Sequence, residues 1–311
     1  MVMGLSLGVS GSPFFGADTG GYQHSPPEAE LFVRWAEQTA LSSVMQVGDS
    51  SSQPPWVFTP DNGRDATSLD IYRTYARLHM RLFPYEWTYA NRIAEDGRPI
   101  QRPLGLTNPE LGVHPSDAYF FGEELLVLPV VTRGERVRRG IVPAGIWIDW
   151  WDGTPFTSDG RTEISIDAPL EKLPLLLREG AIVPMLRPTI DTISPADDPT
   201  VDSFARDAGG LWTRLVPGPS RSFALWDGTK IERLADGTLA TTTGTVFQKG
   251  FVFEVVTTAE PGEVTRDSVA LPKQPDLTSL EAVAEGWAWA PDRRGTLWIK
   301  IGAGNSQVRI H

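Results

Sequence analysis

One acidic side chain stands in a glycine-rich stretch, SGSPFFGADTGGYQ, which spans residues 10–23. Four glycines and two adjacent phenylalanines surround Asp18 there. Glycine lets a backbone pass close to a ligand, and a carboxylate accepts hydrogen bonds from hydroxyl groups. The residue types leave two alternatives for Asp18: it binds a ligand, or it caps a turn and orients the backbone of Gly20 and Gly21.

Two other kinds of reactive site are disfavoured by residue type and spacing. Residues 8–12, GVSGS, nearly match the G-x-S-x-G motif of serine hydrolases, but they fail at the last position and precede a loop instead of a helix. The chain has no cysteine, and its histidines lie too far apart for local metal ligation. We therefore predict no metal site and no cofactor. The histidines are His24, His79, His114 and His311.

The composition predicts a globular chain that binds neither nucleic acid nor membranes. The chain has 311 residues, of which 41% are hydrophobic and 22% charged, which is enough for two or three domains with apolar cores. The net charge is −11, and the sequence contains no cluster of basic residues. The phosphate groups of nucleic acids or anionic membranes therefore have no evident binding surface on this chain. Apolar runs such as LLVLPVV are far shorter than the roughly 20 residues that span a bilayer.

The first hundred residues contain helix signals and one candidate strand. The sequence SPPE at residues 25–28 predicts a helix start with a capping box, and residues 42–47, SSVMQV, predict a strand. A second helical region covers residues 69–95, where Pro84 should kink or restart it and Gly97 should end it. The first helix is expected to bury Leu31, Phe32, Trp35, Ala36 and Thr39 and to expose Glu30, Arg34, Glu37 and Gln38.

The rest of the chain, from about residue 98, is predicted to be all-β. Proline, glycine and β-forming residues dominate there, and Asp-Gly pairs at residues 152–153, 227–228 and 236–237 are typical of hairpin turns. Trp147, Trp150 and Trp151 are expected to serve the core or a sheet edge, with a carbohydrate platform as the alternative. We predict three domains: 1–97, 98–187 and 188–311.

Seven segments in order carry a resemblance to glycoside hydrolase family 31, the family of α-glucosidases and α-xylosidases. They are SGSPFFGADTGGY, ELFVRW, SVMQ, LFPYEWTYA with GRPIQRPL, AYFFGEELLVLPVV, VPAGIWIDWWDGTPF and APLEKLPLLLREGAIVPM. The resemblance implies a retaining glycosidase on a (β/α)8 barrel followed by two β-sandwich domains. Such an enzyme needs two carboxylates about 5 to 5.5 Å apart. The family's motifs for them, W-x-D-x-N-E and W-x-G-D-N, do not occur here, so we expect both aspartates upstream of this sequence.

Chain length points the same way. A closed (β/α)8 barrel takes at least about 200 residues, whereas only about 97 precede the β-rich region. Two parallel strands cannot close a barrel, and they would leave unpaired edges. The expected fold class is thus α/β plus all-β: an incomplete barrel, about strands seven and eight, followed by two β-sandwich domains. The chain would be the C-terminal portion of a larger enzyme, whether a truncated product, a split subunit or a cut fragment.

The resemblance also implies the substrate-binding residues, which are Asp18, Tyr22, Gln46 and Asp49. Asp18 and Tyr22 match positions beside the cleaved sugar, with core packing as the alternative for Tyr22. At MQVGD the sequence departs from the family, because Gly48 stands where a substrate-binding histidine is expected and Asp49 follows it. The implied partners are an α-glycoside and the missing N-terminal part of the barrel. The alternative is a non-catalytic carbohydrate-binding or structural β-sandwich module.

Overall fold

The computed structural model describes residues 1–22, 27–47 and 65–311, which form two compact units. The first unit comprises Met1–His79, Tyr89–Trp150 and Thr157–Leu176, and the second comprises Met80–Thr88, Trp151–Phe156 and Leu177–His311. The three-domain division made from the sequence stays a prediction. No helix within the described ranges combines the length and the apolar character needed to cross a bilayer.

Helices open the first unit. Helix α1, Val2–Val9, is apolar almost throughout, and helix α2 spans Ala29–Thr39. The predicted start of α2 is wrong: Glu28 precedes the first helical residue in extended conformation, and its side chain makes no capping bond. Ser25, the predicted cap, and Pro26, which was expected to occupy the first helical position, lie outside the described residues.

The predicted solvent face of α2 is also wrong, because two of its charged residues are buried. Arg34 and Glu37 pair at 3.0 Å, and Arg34 donates to the main-chain oxygens of Glu135, Ala168 and Lys172. These bonds engage Nη1 and Nη2 of the guanidinium inside the unit, and its buried Nε has no hydrogen-bond partner among the described residues. Leu31, expected inside, is 48% exposed. Burial outweighs the attraction of Arg34 and raises the pKa of Glu37 to about 8.

The second helical region is divided as predicted. Helix α3, Ala66–Arg81, is followed after one residue by helix α4, Phe83–Asp96, with Pro84 near its start. Proline is tolerated there because the first amides of a helix have no partner within it. Gly97 has a φ of +69° and its amide donates to the Ile93 oxygen at 2.9 Å, so the predicted helix end is confirmed.

Most of a six-stranded sheet belongs to the first unit, in the strand order β1-β2-β3-β8-β5-β6. The short helix α5, Leu104–Thr107, follows β1, and strands β4 and β7 form a separate antiparallel pair. Trp147 is buried against Phe120, with ring centroids 5.8 Å apart, so the prediction of a core role is confirmed for this tryptophan. The strands are β1 Gln101–Pro103, β2 Tyr119–Phe121, β3 Leu125–Val127, β4 Val137–Gly140, β5 Gly145–Asp149, β6 Pro155–Ser158, β7 Ile164–Asp167 and β8 Leu175–Arg178.

The second unit contains two further sheets, with strand orders β17-β18-β14-β10-β9 and β11-β12-β13-β19-β15-β16. The Asp-Gly turns at residues 227–228 and 236–237 join antiparallel neighbours, as predicted. The elements are β9 Ile182–Met185, β10 Gly210–Leu215, β11 Arg221–Ala224, β12 Lys230–Arg233, β13 Leu239–Thr242, β14 Gly250–Val256, β15 Val264–Arg266, β16 Val269–Ala270, α6 Leu277–Glu281, β17 Gly286–Ala290, β18 Thr296–Ile301 and β19 Ser306–Ile310.

A buried ion triad lies inside the second unit. Glu254 on β14 accepts hydrogen bonds from Arg81 at 2.8 Å and from Arg214 at 2.9 and 3.1 Å. Burial alone would raise the pKa of Glu254, but the two guanidinium groups overcome this effect and lower it to about 2. The carboxylate therefore stays charged and fully paired in the interior.

Candidate functional site

Two segments of the first unit, residues 13–18 and 43–47, run parallel in a constant register of 28 residues. The main-chain amide of Thr19 donates a hydrogen bond to the main-chain oxygen of Gln46 at 3.0 Å. Asp18 and Gln46 form an isolated parallel β-bridge. Ser43 Oγ accepts from the Phe15 amide at 2.8 Å and donates to the Phe15 oxygen at 3.0 Å. Phe15 with Ser43 and Asp18 with Gln46 are both pairs 28 residues apart, and these two pairs define the alignment of the segments.

The strand predicted at residues 42–47 is wrong as a regular strand. Only Gln46 takes part in a β-bridge there. At residue 43 a side-chain hydroxyl bonds to the opposite backbone in place of the main-chain amide and oxygen that a ladder would use. The parallel neighbour relation that the sequence suggested nevertheless exists.

A glycine brings the two segments together between these points. A Cβ atom on Gly16 would lie 2.5 Å from the Cβ of Val44 and 2.5 Å from its main-chain oxygen. Carbon atoms in van der Waals contact are about 3.5 to 4.0 Å apart. Only glycine fits at position 16 in this register.

The odd-numbered residues of the first segment face the helices. Thr19 Oγ1 lies 2.9 Å from Thr39 Oγ1 on α2, and both residues are buried. The ring of Phe15 lies against Gly4 on α1, where an added Cβ would be 2.3 Å from the ring. Because side chains alternate along an extended backbone, the even-numbered residues face the opposite side.

That opposite side carries Phe14 and Asp18 on one segment and Val44 and Gln46 on the other. Phe14 is 54% exposed and Val44 39% exposed, Asp18 is half-buried, and Gln46 is exposed. In a (β/α)8 barrel the side away from the helices is the interior, which apolar side chains fill, and the polar pair stands at the carboxyl ends of the strands. Active sites of this fold lie at that end.

The structure brings together two of the four predicted site residues. Gln46 donates from Nε2 to Asp18 Oδ1 at 2.5 Å. The backbone then turns at Gly20 and Gly21, both with positive φ. The Gly21 amide donates a hydrogen bond to the main-chain oxygen of Asp18 at 2.8 Å. Tyr22 follows this turn and is 65% exposed. Asp49, like Gly48 before it, lies outside the described residues.

Sequence reasoning missed the residues that hold the site in place. Thr19 and Ser43 are small hydroxyl residues, which apolar periodicity does not identify. Thr39 was expected to be buried on α2, and it is, but its contact with Thr19 was not predicted. A usable signal was present in Gly16, since glycine lets two backbones approach each other closely. Within the described ranges, no group of three or more histidine, aspartate or glutamate side chains could hold a metal ion.

Two family models match successive parts of the chain. Residues 1–89 match "Glycosyl hydrolases family 31 TIM-barrel domain", and residues 97–183 match "Glycosyl hydrolase family 31 C-terminal domain". Together they cover more than half of the chain, in the order that the sequence predicted.

Curated proteins that act on carbohydrates, by their names, resemble much of this chain. An isomaltosyltransferase from Sporosarcina globispora is 27% identical over 99% of this chain. An α-xylosidase from Saccharolobus solfataricus is 28% identical over 72% of it. The chain spans 29% of the length of each of these relatives.

Solved structures show the same fold. A cycloalternan-forming enzyme from Listeria monocytogenes, in complex with a pentasaccharide substrate, aligns with 98% of this chain at a TM-score of 0.82 and 24% identity. A family 31 dextranase from Flavobacterium johnsoniae, complexed with isomaltotriose, aligns with 99% of it at a TM-score of 0.80 and 23% identity. The alignments cover 30% and 40% of those chains. This chain therefore belongs to glycoside hydrolase family 31, of which it carries a part of the (β/α)8 barrel followed by C-terminal β domains.

Proposed function

We propose that this chain contributes one wall of the sugar pocket of a retaining α-glycoside hydrolase that acts on α-linked glucosides or xylosides. The single observation that carries the proposal is the placement of Asp18 and Gln46. They lie side by side at the carboxyl ends of two parallel segments, on the side away from the helices. A charged acceptor at the active-site end of a barrel is well placed to bind sugar hydroxyl groups.

The proposal assigns binding, not bond cleavage, to these residues. A retaining glycosidase needs a nucleophile and an acid/base about 5 to 5.5 Å apart. Neither catalytic motif of the family occurs in this sequence, so both aspartates belong to barrel segments outside residues 1–311. Asp18 would hold the cleaved sugar, since each hydrogen bond to a charged group contributes roughly 1.5 to 3 kcal/mol. Tyr22 and Asp49 complete the proposed substrate-binding set.

The names of the relatives support the substrate class. The similar proteins include α-xylosidases and an α-glucosidase, and the similar structures include complexes with glucose, isomaltotriose and a pentasaccharide. The proposed partners of this chain are accordingly an α-glycoside and the remaining segments of the barrel. The charge of −11 supports neither nucleic acid nor an anionic membrane as a partner.

Calorimetric titration separates the proposal from a carbohydrate-binding module. The purified chain is titrated with malto-oligosaccharides and xylo-oligosaccharides, and so is an Asp18→Ala variant. If the wall needs the rest of the barrel, neither the chain nor the variant binds these sugars at millimolar concentration, and millimolar binding by the chain that Asp18→Ala abolishes also supports the proposal. Millimolar or tighter binding that Asp18→Ala leaves unchanged contradicts the proposal and favours a binding site on the β domains.

A further inference from the structure

The hydrogen bond between Asp18 and Gln46 has only one chemically sensible direction. A carboxylate only accepts hydrogen bonds, whereas the amide of Gln46 has a donating NH2 group and an accepting oxygen. At a separation of 2.5 Å from Asp18 Oδ1, the atom of Gln46 must be Nε2. Within residues 1–22, 27–47 and 65–311, no group donates a hydrogen bond to the other end of the amide, Oε1.

The backbone around this bond is held on both segments. The main-chain amide of Thr19 donates a hydrogen bond to the main-chain oxygen of Gln46 at 3.0 Å. The hydroxyl of Thr19 is hydrogen-bonded to the hydroxyl of Thr39 on α2. The chain turns only after Thr19, at Gly20 and Gly21, both with positive φ. The backbone next to Asp18 is thus fixed by Thr19, whereas the carboxylate itself is bonded to the side chain of Gln46, so the direction of the carboxylate depends on that side-chain partner.

We infer that Gln46 is a positioning residue that fixes the direction of the Asp18 carboxylate, with Oδ1 occupied and Oδ2 left for the ligand. This inference rests on the proposed function. In this arrangement Asp18 Oδ2 and Gln46 Oε1 are the two acceptors that the shared hydrogen bond does not use. Two acceptors on bonded side chains match hydroxyl groups of a neutral sugar, each of which donates one proton. A sugar carboxylate offers no proton there and is repelled by Asp18.

The first test uses the chain as it stands and needs no activity. Side-chain amide resonances of glutamine are recorded by NMR, and the Gln46 pair is assigned by its loss in Gln46→Met. A donor bonded to a carboxylate resonates downfield of the other glutamine side chains, and Asp18→Ala returns it to their range. Gln46 resonances that do not move in Asp18→Ala overturn the inference, whatever the protein does to sugars.

The second test is a double-mutant cycle in an enzyme that joins this chain to the rest of a family 31 barrel. Gln46→Met should lower kcat/KM for aryl α-glucosides about tenfold, the expected size for loss of one bond to a charged group. In the Asp18→Ala background the same substitution should have no further effect, because a positioning residue acts only through its partner. Gln46→Glu should lower kcat/KM more than Gln46→Met does, because it places a second carboxylate beside Asp18. The control Gln307→Met, far along the chain on β19, should leave kcat/KM equal to that of the parent enzyme.

The outcomes of the cycle separate the two proposals. Independent, additive effects of Gln46→Met and Asp18→Ala overturn the positioning role and leave Asp18 as a binding residue. No turnover by the joined enzyme overturns the proposed function, and the NMR result then decides the positioning role by itself.

Discussion

Replacing Gly16 with alanine is the sharpest perturbation of the alignment that builds the site. The new methyl group would lie 2.5 Å from both the Cβ and the main-chain oxygen of Val44, about 1 Å inside van der Waals contact. The segments must separate by about that distance, because a main-chain oxygen cannot rotate away. The bond from the Phe15 amide to Ser43 and the bond from the Thr19 amide to Gln46, now 2.8 and 3.0 Å, would stretch beyond useful length.

The expected cost follows from these contacts. Two neutral hydrogen bonds contribute about 0.5 to 1.5 kcal/mol each, and overpacking typically costs about 1 to 3 kcal/mol. We expect Gly16→Ala to lower the free energy of unfolding by at least about 2 kcal/mol, the lower end of the combined contributions, measured by urea denaturation. Gly140→Ala in the same unit is the matched control, since its Cβ would have nothing nearer than 3.6 Å. The reduced freedom of the unfolded chain affects both variants alike.

A Gly16→Ala protein as stable as Gly140→Ala would refute the register. So would a Gln46 side-chain amide resonance that stays in place in Gly16→Ala, because separation of the segments must disturb the bond to Asp18. Either result would remove the structural basis for bringing Asp18 and Gln46 together.

The remaining predictions concern acid stability and substrate binding. The Glu254 pKa of about 2 lies below its usual value of 4.5, so the ionised carboxylate stabilises the folded state above pH 4.5. This contribution, on the order of 3 kcal/mol, is lost as the pH falls from 4.5 toward 2. Urea denaturation should therefore show Glu254→Gln well below wild type at pH 6 and close to it near pH 2; a constant difference would exclude this linkage. In a complete enzyme, Asp18→Asn should lower kcat/KM for aryl α-glucosides at least tenfold, about 1.4 kcal/mol, and an unchanged kcat/KM would return Asp18 to a turn-capping role.

Local chemistry was predictable where one residue type decides the backbone. Pro84 and Gly97 mark the start and the end of α4, and the Asp-Gly pairs mark the turns between β11, β12 and β13. In each case the residue's own steric or hydrogen-bonding properties favour one conformation. The family was also recognisable, because seven separate segments occur in the right order.

Burial of charge was not predictable from periodicity. Arg34 and Glu37 occupy positions that a polar face should expose, yet both are buried, and main-chain oxygens from distant parts of the unit accept hydrogen bonds from Nη1 and Nη2 of Arg34. A helical pattern treats every charged residue as solvent-facing and contains no information about partners far away in the sequence. The buried side of α2 was therefore misplaced.

The site was half predictable for a related reason. Its residues could be named from the resemblance, but their contact depends on the parallel register, which Gly16 and Ser43 help to set. Register follows from pairing and not from the pattern of one segment. The bond between Gln46 and Asp18 is accordingly a finding of the structure.

The most direct measurement is the rate at which the homogeneous chain hydrolyses aryl α-glucosides and aryl α-xylosides. The same rate is measured for the chain joined to a family 31 barrel segment that carries both aspartate motifs. The account predicts no turnover by the chain alone and measurable turnover by the joined protein. Turnover by the chain alone at a rate proportional to its concentration would contradict the account, because a complete pair of reactive carboxylates would then lie within residues 1–311.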